Sequence, residues 1–531
     1  MRVGLVGGGP RALWAAEELF ALFRDNDLPL SIVCWDPEEP GAGRVYRADQ
    51  PLCWRLNVRS DIVRTRLGSF SDWLESRQSH DRKVIVDGVG AEQADIRRLA
   101  SPFSGKCEMA LSGEDKIFPP RALVGEFLRM SWLELAREFK DAGGQNELRH
   151  VCARVEDIHS ADDGCRIEVA NNLDEIVDEA LIVTGHAATW RGRWEGAIAA
   201  NDFAALNSIK ADSDVVVRGM ALTFIDTCLA LTEARGGRFV PDHRSEDGGQ
   251  ICGMHPNPAA TPEERARKLR YIPSGKEPSR IFPFSRSAKL MSIKPAPSNI
   301  WSQVNFKHQE EFEERIRNCS DVEHLRVILR EAEENLLDSA RQFADSVRRA
   351  RKESVIQLPD RQWATGEVWR RLYGALVERV SYSEDGDLEG FHDLEREMEP
   401  LAFGPPALTA KKIDALVEAG IVVLPLKGGE PAIPPQDAVR VDAVIAPPGV
   451  QPETLLAKLV ERGEATLLPQ GGVAVDRCGV LRGKHVAVIG RDVSPRVIGH
   501  DTLNRTMHGE IPNWARMVLQ RAKELRGDKR G

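Results

Sequence analysis

The sequence predicts an α/β protein built on parallel sheets. An apolar strand at 3–6 runs into a glycine turn and then a helix, and a second apolar strand at 30–35 ends at Asp36. A similar strand–turn–helix pattern returns at 214–231. Strands that alternate with helices in this way form βαβ units. We therefore expect a Rossmann-like domain, a second Rossmann-like unit and a helical insertion.

The glycine turn has the composition of a dinucleotide-binding turn. Gly7, Gly9 and Ala12 fill the G-x-G-x-x-G/A pattern, which allows a tight turn, close approach of a pyrophosphate and close helix packing. Asp36 follows Ala12 by 24 residues, near the roughly 20 expected for the carboxylate that binds ribose hydroxyls. An acid there favours FAD or NAD over NADP. The alternative is a glycine-rich turn in another α/β domain.

Length and composition restrict the function classes. The chain has 531 residues, enough for two or three domains, and a net charge of −9 without basic clusters, so no nucleic-acid partner is expected. No apolar run reaches about 18 residues, so we expect no membrane span. The nine cysteines form no C-x-x-C pair, which indicates reduced thiols in a cytoplasmic protein and argues against a disulfide-reducing flavoenzyme. The oligomeric state stays open.

A Gly/Pro-rich loop at 37–46 follows the ribose-binding strand end. Its glycines bring backbone close to the cleft and Arg44 is placed to meet a phosphate, although a flexible surface loop is the alternative reading. Asn57 lies further on, where a pocket-lining role and a packing role are both open.

Later strands repeat the plan of the first. Alternating segments at 151–158 and 165–169 predict a β-meander, and a buried strand then ends at Thr184 and Gly185. His186 after this turn is more often structural than catalytic. A late strand ends at Gly490 and Asp492, and the segment 497–503 is expected to lead into a helix. Such a strand end lies near the flavin in many flavoproteins; the alternative is a strand and helix that only finish the sheet.

These patterns give one set of expected cofactor-binding residues. They are Gly7, Gly8, Gly9, Pro10, Arg11, Ala12, Asp36, Arg44, Asn57, Val155, Thr184, Gly185, Gly490, Asp492 and Asp501. The sequence names no catalytic residue and predicts no metal site, because no H-E-x-x-H motif or metal-spaced Cys/His group occurs.

The expected domain order is discontinuous. We expect the first part of the FAD-binding domain at 1–205, a second dinucleotide-type domain at 206–300, a helical insertion at 301–400, the return of the second domain at 401–475 and a C-terminal strand and helix at 476–531. Only Gly219 remains of the glycine triplet in the second domain, so nicotinamide binding there stays open. A capping box at 320–323 is expected to start a new helix of the insertion.

Several segments resemble the bacterial FAD-NAD(P)-binding protein family. They lie at 6–11, 40–51, 119–121, 217–219, 271–275 and 497–505. The resemblance covers most of the chain apart from the helical insertion. It implies FAD at Gly7, Gly9 and Asp36 and a relationship to flavin monooxygenases, including those that hydroxylate amines or amino acids at nitrogen. It implies no catalytic residue.

Three functions remain open at this point. The first is an FAD-dependent oxidoreductase, specifically a monooxygenase that uses NADPH or NADH and oxygen on a small-molecule substrate, with N-hydroxylation as one form. The second is an FAD-dependent dehydrogenase or oxidase without oxygen insertion, which the incomplete second glycine motif favours. The third is a nucleotide-bound scaffold or redox sensor with the amphipathic segment at 308–353 as a partner surface.

Overall fold

The computed structural model describes residues 1–79, 117–161, 164–171, 174–242, 268–295, 299–351, 358–383, 387–425 and 435–528. The chain forms two compact units, one of residues 1–192 with 446–531 and one of residues 193–445. Both units contain a parallel sheet with helices, so the predicted α/β fold class is confirmed.

Strands and helices alternate along most of the chain. The strands are β1 (Arg2–Val6), β2 (Ser31–Trp35), β3 (Arg64–Thr65), β4 (Gly68–Ser69), β5 (Glu147–Val151), β6 (Val155–Ala161), β7 (Gly164–Val169), β8 (Glu175–Val177), β9 (Glu179–Ile182), β10 (Ile198–Ala199), β11 (Asp214–Arg218), β12 (Arg238–Pro241), β13 (Leu269–Ile272), β14 (Arg280–Phe284), β15 (Val439–Asp442) and β16 (Val486–Val488). The helices are α1 (Pro10–Asp25), α2 (Phe70–Ser79), α3 (Arg121–Ala142), α4 (Phe203–Asn207), α5 (Leu222–Leu231), α6 (Gln309–Arg317), α7 (Val322–Arg351), α8 (Arg361–Val380), α9 (Phe391–Ala402), α10 (Ala407–Glu418), α11 (Leu455–Glu461) and α12 (Glu510–Asp528).

The first unit is built on a five-stranded parallel sheet in the order β16-β9-β1-β2-β5. Its central strands are almost continuously apolar, since helices cover a parallel sheet on both faces. Helices α1 and α3 pack together through Phe20 and Phe139, whose ring centroids lie 4.4 Å apart. The expected meander is present as the antiparallel sheet β6-β7-β8.

The second unit contains the four-stranded parallel sheet β10-β15-β11-β14. Gly219 follows β11 with a φ of 114°, and its N–H donates to the carbonyl of Phe284 at 2.9 Å or less, namely 2.8 Å. The same unit carries the helices α6 to α10, whose apolar stripes are buried as the 3.6-residue periodicity predicts.

Two local expectations need correction. The cap of α7 is Asp321 rather than Ser320, because Oδ1 of Asp321 accepts the N–H of His324 at 2.8 Å. The helix after the segment 497–503 begins only at Glu510, so Asp501 lies in the preceding loop and not in the first helical turn. A run of polar and turn-forming residues separates the two.

The cysteine prediction can be checked at seven positions. All seven cysteines in the described part of the chain are free thiols, while Cys107 and Cys252 lie outside it. Among the described helices, none combines the length and the apolar composition that a bilayer crossing requires.

Candidate functional site

The predicted site residues collect at one edge of the first unit's sheet. Gly7 directly follows β1, Asp36 follows β2, Thr184 comes shortly after β9 and Gly490 shortly after β16. These strands are parallel, so their carboxyl ends meet at the same edge. In open α/β sheets this edge is where ligands bind.

The first two glycines of the turn are required by the backbone. Gly7 has a φ of 106°, and a Cβ there would lie 2.6 Å from the carbonyl oxygen of Val183. Gly8 donates its N–H to Oδ2 of Asp36 at 2.6 Å, and a Cβ on it would lie 2.9 Å from Cβ of Asp36. A side chain at either position would displace a neighbouring strand end.

Gly9 differs from both. Its φ of −77° and ψ of −172° are open to any residue, and a Cβ built on it meets no atom within 4 Å. The space beside Gly9 is bounded by the start of α1, where Pro10 occupies the first turn. By helix geometry the first N–H groups of α1 have no partner within the helix, and they favour an anion. Both properties fit a diphosphate.

Asp36 is fixed at the end of β2. Its Oδ1 accepts the N–H of Glu38 at 2.7 Å, and its own carbonyl lies 2.9 Å from Nε2 of His150. Each carboxylate oxygen can accept a second hydrogen bond. The carboxylate is therefore oriented and keeps capacity for ribose hydroxyls.

The Gly/Pro-rich loop packs onto the glycine turn. The N–H of Gly41 donates to the carbonyl of Gly8 at 2.7 Å, and a Cβ on Gly43 would lie 2.9 Å from Cα of Gly9. Arg44 donates to the carbonyl of His186 at 2.5 Å. The loop thus reaches from the end of β1 to the segment after β9.

Thr184 and Asp492 are joined across the ends of β9 and β16. The hydroxyl of Thr184 donates to Oδ2 of Asp492 at 3.2 Å. Asp492 is buried, and burial raises the pKa of its carboxyl to about 6, while the Thr184 hydrogen bond and the charge of Arg491 act in the opposite direction. Gly490 lies beside Arg11, because a Cβ on it would be 3.8 Å from Cδ of Arg11.

Charged groups surround the turn. Arg491 is buried, forms an ion pair with Asp501 and donates from Nη2 to the carbonyl of Ala446 at 2.8 Å. Burial lowers the pKa of His186 to about 4, with Arg491 adding to the effect and Asp501 opposing it. His186 is therefore neutral at pH 7, and the local positive charge comes from Arg11, Arg44 and Arg491.

Not all predicted residues join this group through the described contacts. Val155 begins the separate antiparallel sheet, where it pairs with Val169. Asn57 follows Leu56, whose N–H donates to the carbonyl of Pro119 at 2.9 Å. Ala12 is fully buried, as the close packing of α1 requires, and Gly185 has a φ of 72° in the turn after β9.

Three residues of the site did not appear among the predicted ones. Tyr46 lies near Arg11 and Asp501, since both charges act on its phenol, whose pKa burial raises. Arg491 stands between two predicted residues, and that position was the available signal. His500 contacts Arg11 through its carbonyl and its ring; no residue pattern announces such a contact between distant segments.

Comparison with known proteins gives one family match. Residues 4–187 match the model of the FAD-NAD(P)-binding family. The nitrosuccinic acid synthase of Aspergillus oryzae is 26% identical over 303 residues, which are 54% of this chain and 40% of that protein. The chain therefore spans less than half the length of this curated relative.

Solved structures with full-length similarity are distant in sequence. An ornithine N-hydroxylase from Kutzneria sp. 744 is 14% identical with a TM-score of 0.45, over 97% of this chain and 98% of that chain. An L-lysine 6-monooxygenase from Pseudomonas syringae is 11% identical with a TM-score of 0.44, over 98% and 99%. The match of residues 4–187, together with the glycine turn at their start, shows that this segment is a domain of the FAD-NAD(P)-binding family.

Proposed function

We propose that this protein is an FAD-dependent oxidoreductase, and specifically an NAD(P)H-driven monooxygenase that acts on a small molecule. The observation that carries the proposal is the open space beside Gly9, at the start of α1, within a domain of the FAD-NAD(P)-binding family. A cofactor diphosphate fits this space, because Gly7 and Gly8 are closed to side chains by the backbone and Gly9 alone is open.

The proposed cofactor residues divide by position. The turn of Gly7 to Ala12 would hold the diphosphate and Asp36 the adenosine ribose, while Thr184, Gly490 and Asp492 would lie towards the flavin end. The site extends from the end of β2 to the end of β16, a span of four adjacent strands. This length favours FAD over a mononucleotide. Bound FAD would supply the redox chemistry itself.

The chain's own residues would bind, orient and control charge. Arg11, Arg44 and Arg491 place positive charge at the strand ends, which favours the anionic cofactor. Asp492, with a pKa raised to about 6, changes charge close to neutral pH and can accept a hydrogen bond in either form. No general base has to be named, because bound FAD carries the reaction.

Oxidation at nitrogen is the form of the reaction that we favour. It is supported by the name of the fungal relative, a nitrosuccinic acid synthase. A dehydrogenase or oxidase without oxygen insertion is the second candidate. It is favoured by the second unit, where Met220 and Ala221 follow Gly219 in place of further glycines and Arg218 is committed to Asp442 at 2.5 and 2.9 Å.

The test begins with the visible spectrum of the purified protein after incubation with FAD. Flavin absorbance that stays with the protein through gel filtration is expected, and a colourless protein would refute the proposal. NADPH and NADH are then added in the absence of oxygen. Bleaching by either supports the NAD(P)H-driven reaction, whereas bleaching only by a substrate supports the dehydrogenase.

Oxygen consumption distinguishes the remaining forms. With the bleaching nucleotide, a panel of amino acids including L-aspartate and L-ornithine is screened for oxygen uptake and for an N-oxidised product by mass spectrometry. A product heavier by one oxygen atom supports the monooxygenase. Hydrogen peroxide as the only product, with every amine tried, would contradict oxygen insertion.

A further inference from the structure

The guanidinium of Arg11 is held by the segment before α12. Its Nη2 donates to the carbonyl oxygen of His500 and lies 3.5 Å from Nδ1 of the same residue. Arg11 is the second residue of α1 and comes directly after the glycine turn. The direction of its side chain therefore depends on both the backbone and the ring of a single distant residue.

This contact fixes the tautomer of His500. A guanidinium can only donate, so the ring nitrogen that faces Arg11 has to accept. Nδ1 then carries no proton, and in the neutral ring the proton is on Nε2. Nε2 lies 3.5 Å from Oε1 of Glu510, the first residue of α12. The ring is thus oriented by Arg11 on one side and by a carboxylate on the other.

The surroundings keep His500 neutral. The residue is 3% exposed, and its ring stacks on that of His508 with centroids 4.4 Å apart. Burial lowers the pKa of His500 to about 4; Glu510 opposes this, and Arg11 and His508 add to it. Nε2 of His508 lies 2.7 Å from the carbonyl of Ile498, which holds the second ring in place.

We propose that His500 is a positioning residue that directs Arg11 towards the diphosphate of bound FAD, with Glu510 orienting its ring. The proposal rests on the proposed function, since it requires FAD at the glycine turn. A guanidinium has five N–H donors, so the contact with His500 leaves donors for a phosphate. A side chain already held in place loses less rotamer freedom when the ligand binds, and this raises affinity.

A metal site is the competing interpretation of the same cluster. Ligand atoms of His500, His508 and Glu510 lie within 4.8 Å of one another. A metal on Nε2 of His500 would require that nitrogen to be unprotonated, which moves the proton to Nδ1. That proton would then face the donor group of Arg11. The Arg11 contact therefore favours the positioning role.

Two substitutions of His500 separate its two nitrogens. In His500→Asn the amide can place an acceptor where Nδ1 was, and in His500→Gln the amide extends to the place of Nε2. We expect the dissociation constant for FAD, titrated with the FAD-free full chain, to stay within about threefold of wild type for Asn. For Gln we expect it to rise about tenfold, which corresponds to about 1.4 kcal/mol. Equal losses in the two variants would overturn the proposal.

A double-mutant cycle shows whether His500 acts through Arg11. In an Arg11→Met background, His500→Gln should cause no further loss of FAD affinity, whereas fully additive losses would refute the positioning role. Stoichiometric zinc in the wild type that both His500 variants lose would also overturn it, in favour of a metal site. A wild-type chain that takes up no FAD refutes the proposed function instead, so the two failures are distinguishable.

Discussion

Substitution of Gly9 by alanine should separate the stability of the fold from the binding of FAD. The backbone at Gly9 already has dihedral angles that alanine adopts, and the added Cβ meets no atom within 4 Å. Gly7→Ala is the matched control, because its Cβ would lie 2.6 Å from the carbonyl oxygen of Val183 at a φ of 106°. The two variants add the same methyl group two residues apart.

The expected magnitudes follow from these positions. At Gly9 a weaker helix cap costs about 0.7 kcal/mol, and reduced freedom of the unfolded chain contributes about 0.4–1 kcal/mol in the opposite direction. The free energy of unfolding should therefore change by less than about 0.5 kcal/mol. At Gly7 the strained backbone alone costs about 1–3 kcal/mol. For FAD, loss of two charge-assisted hydrogen bonds to the diphosphate costs about 3–6 kcal/mol, or more than a hundredfold in affinity.

The assays are denaturant unfolding of the FAD-free protein and titration with FAD followed by flavin fluorescence. Gly9→Ala should unfold at the wild-type denaturant concentration and fail to retain FAD. The reasoning is wrong if Gly9→Ala binds FAD as the wild type does, because the diphosphate then lies elsewhere. It is also wrong if Gly9→Ala is as unstable as Gly7→Ala, because the space beside Gly9 is then filled.

Three further predictions concern individual carboxylates. Asp36→Ala removes the acceptor of the Gly8 N–H and should weaken FAD binding at least tenfold, with Asp36→Asn intermediate; equal affinity in a fluorescence titration would contradict the ribose assignment. The folded-state pKa of Asp492 is raised from 3.8 to about 6, so its contribution to stability is present below pH 4 and is lost as the pH rises to about 6. Asp492→Asn, measured without FAD, should therefore match the wild type at pH 4 and exceed it by up to about 3 kcal/mol at pH 7; a pH-independent difference would contradict this. Asp442→Ala leaves Arg218 without its bidentate partner and should cost about 3 kcal/mol of unfolding free energy, whereas a change under about 0.5 kcal/mol would mean that the pair is neutral.

Local signals predicted the fold class and the turn. The order of apolar runs and glycines gave the parallel sheets, because side-chain periodicity and turn chemistry act over a few residues. The same signals located Gly7 to Ala12 and Asp36, which the sheet places at one edge.

Long-range contacts were beyond the sequence. The contact of Arg11 with His500 joins residues 489 positions apart, and no pattern within either segment encodes it. The start of α12 was placed too early for a related reason: the helix begins only where Glu510 is buried against the cluster, and tertiary packing decides that. Asn57 and Val155 show the reverse case, since their local patterns were suggestive and the described contacts connect them to other parts of the unit.

The outermost strand of the first sheet comes from the end of the chain, and this affects when the cofactor can be acquired. Strand β16 pairs with β9, although about 300 residues separate them in the sequence. At about 5–20 residues per second, a ribosome needs roughly 15–60 s to synthesise the intervening chain. During that interval β9 is an exposed sheet edge, and the segment that carries Asp492 and His500 does not yet exist. Stable cofactor loading is therefore a post-translational event, and shortage of FAD would act on finished chains rather than on nascent ones.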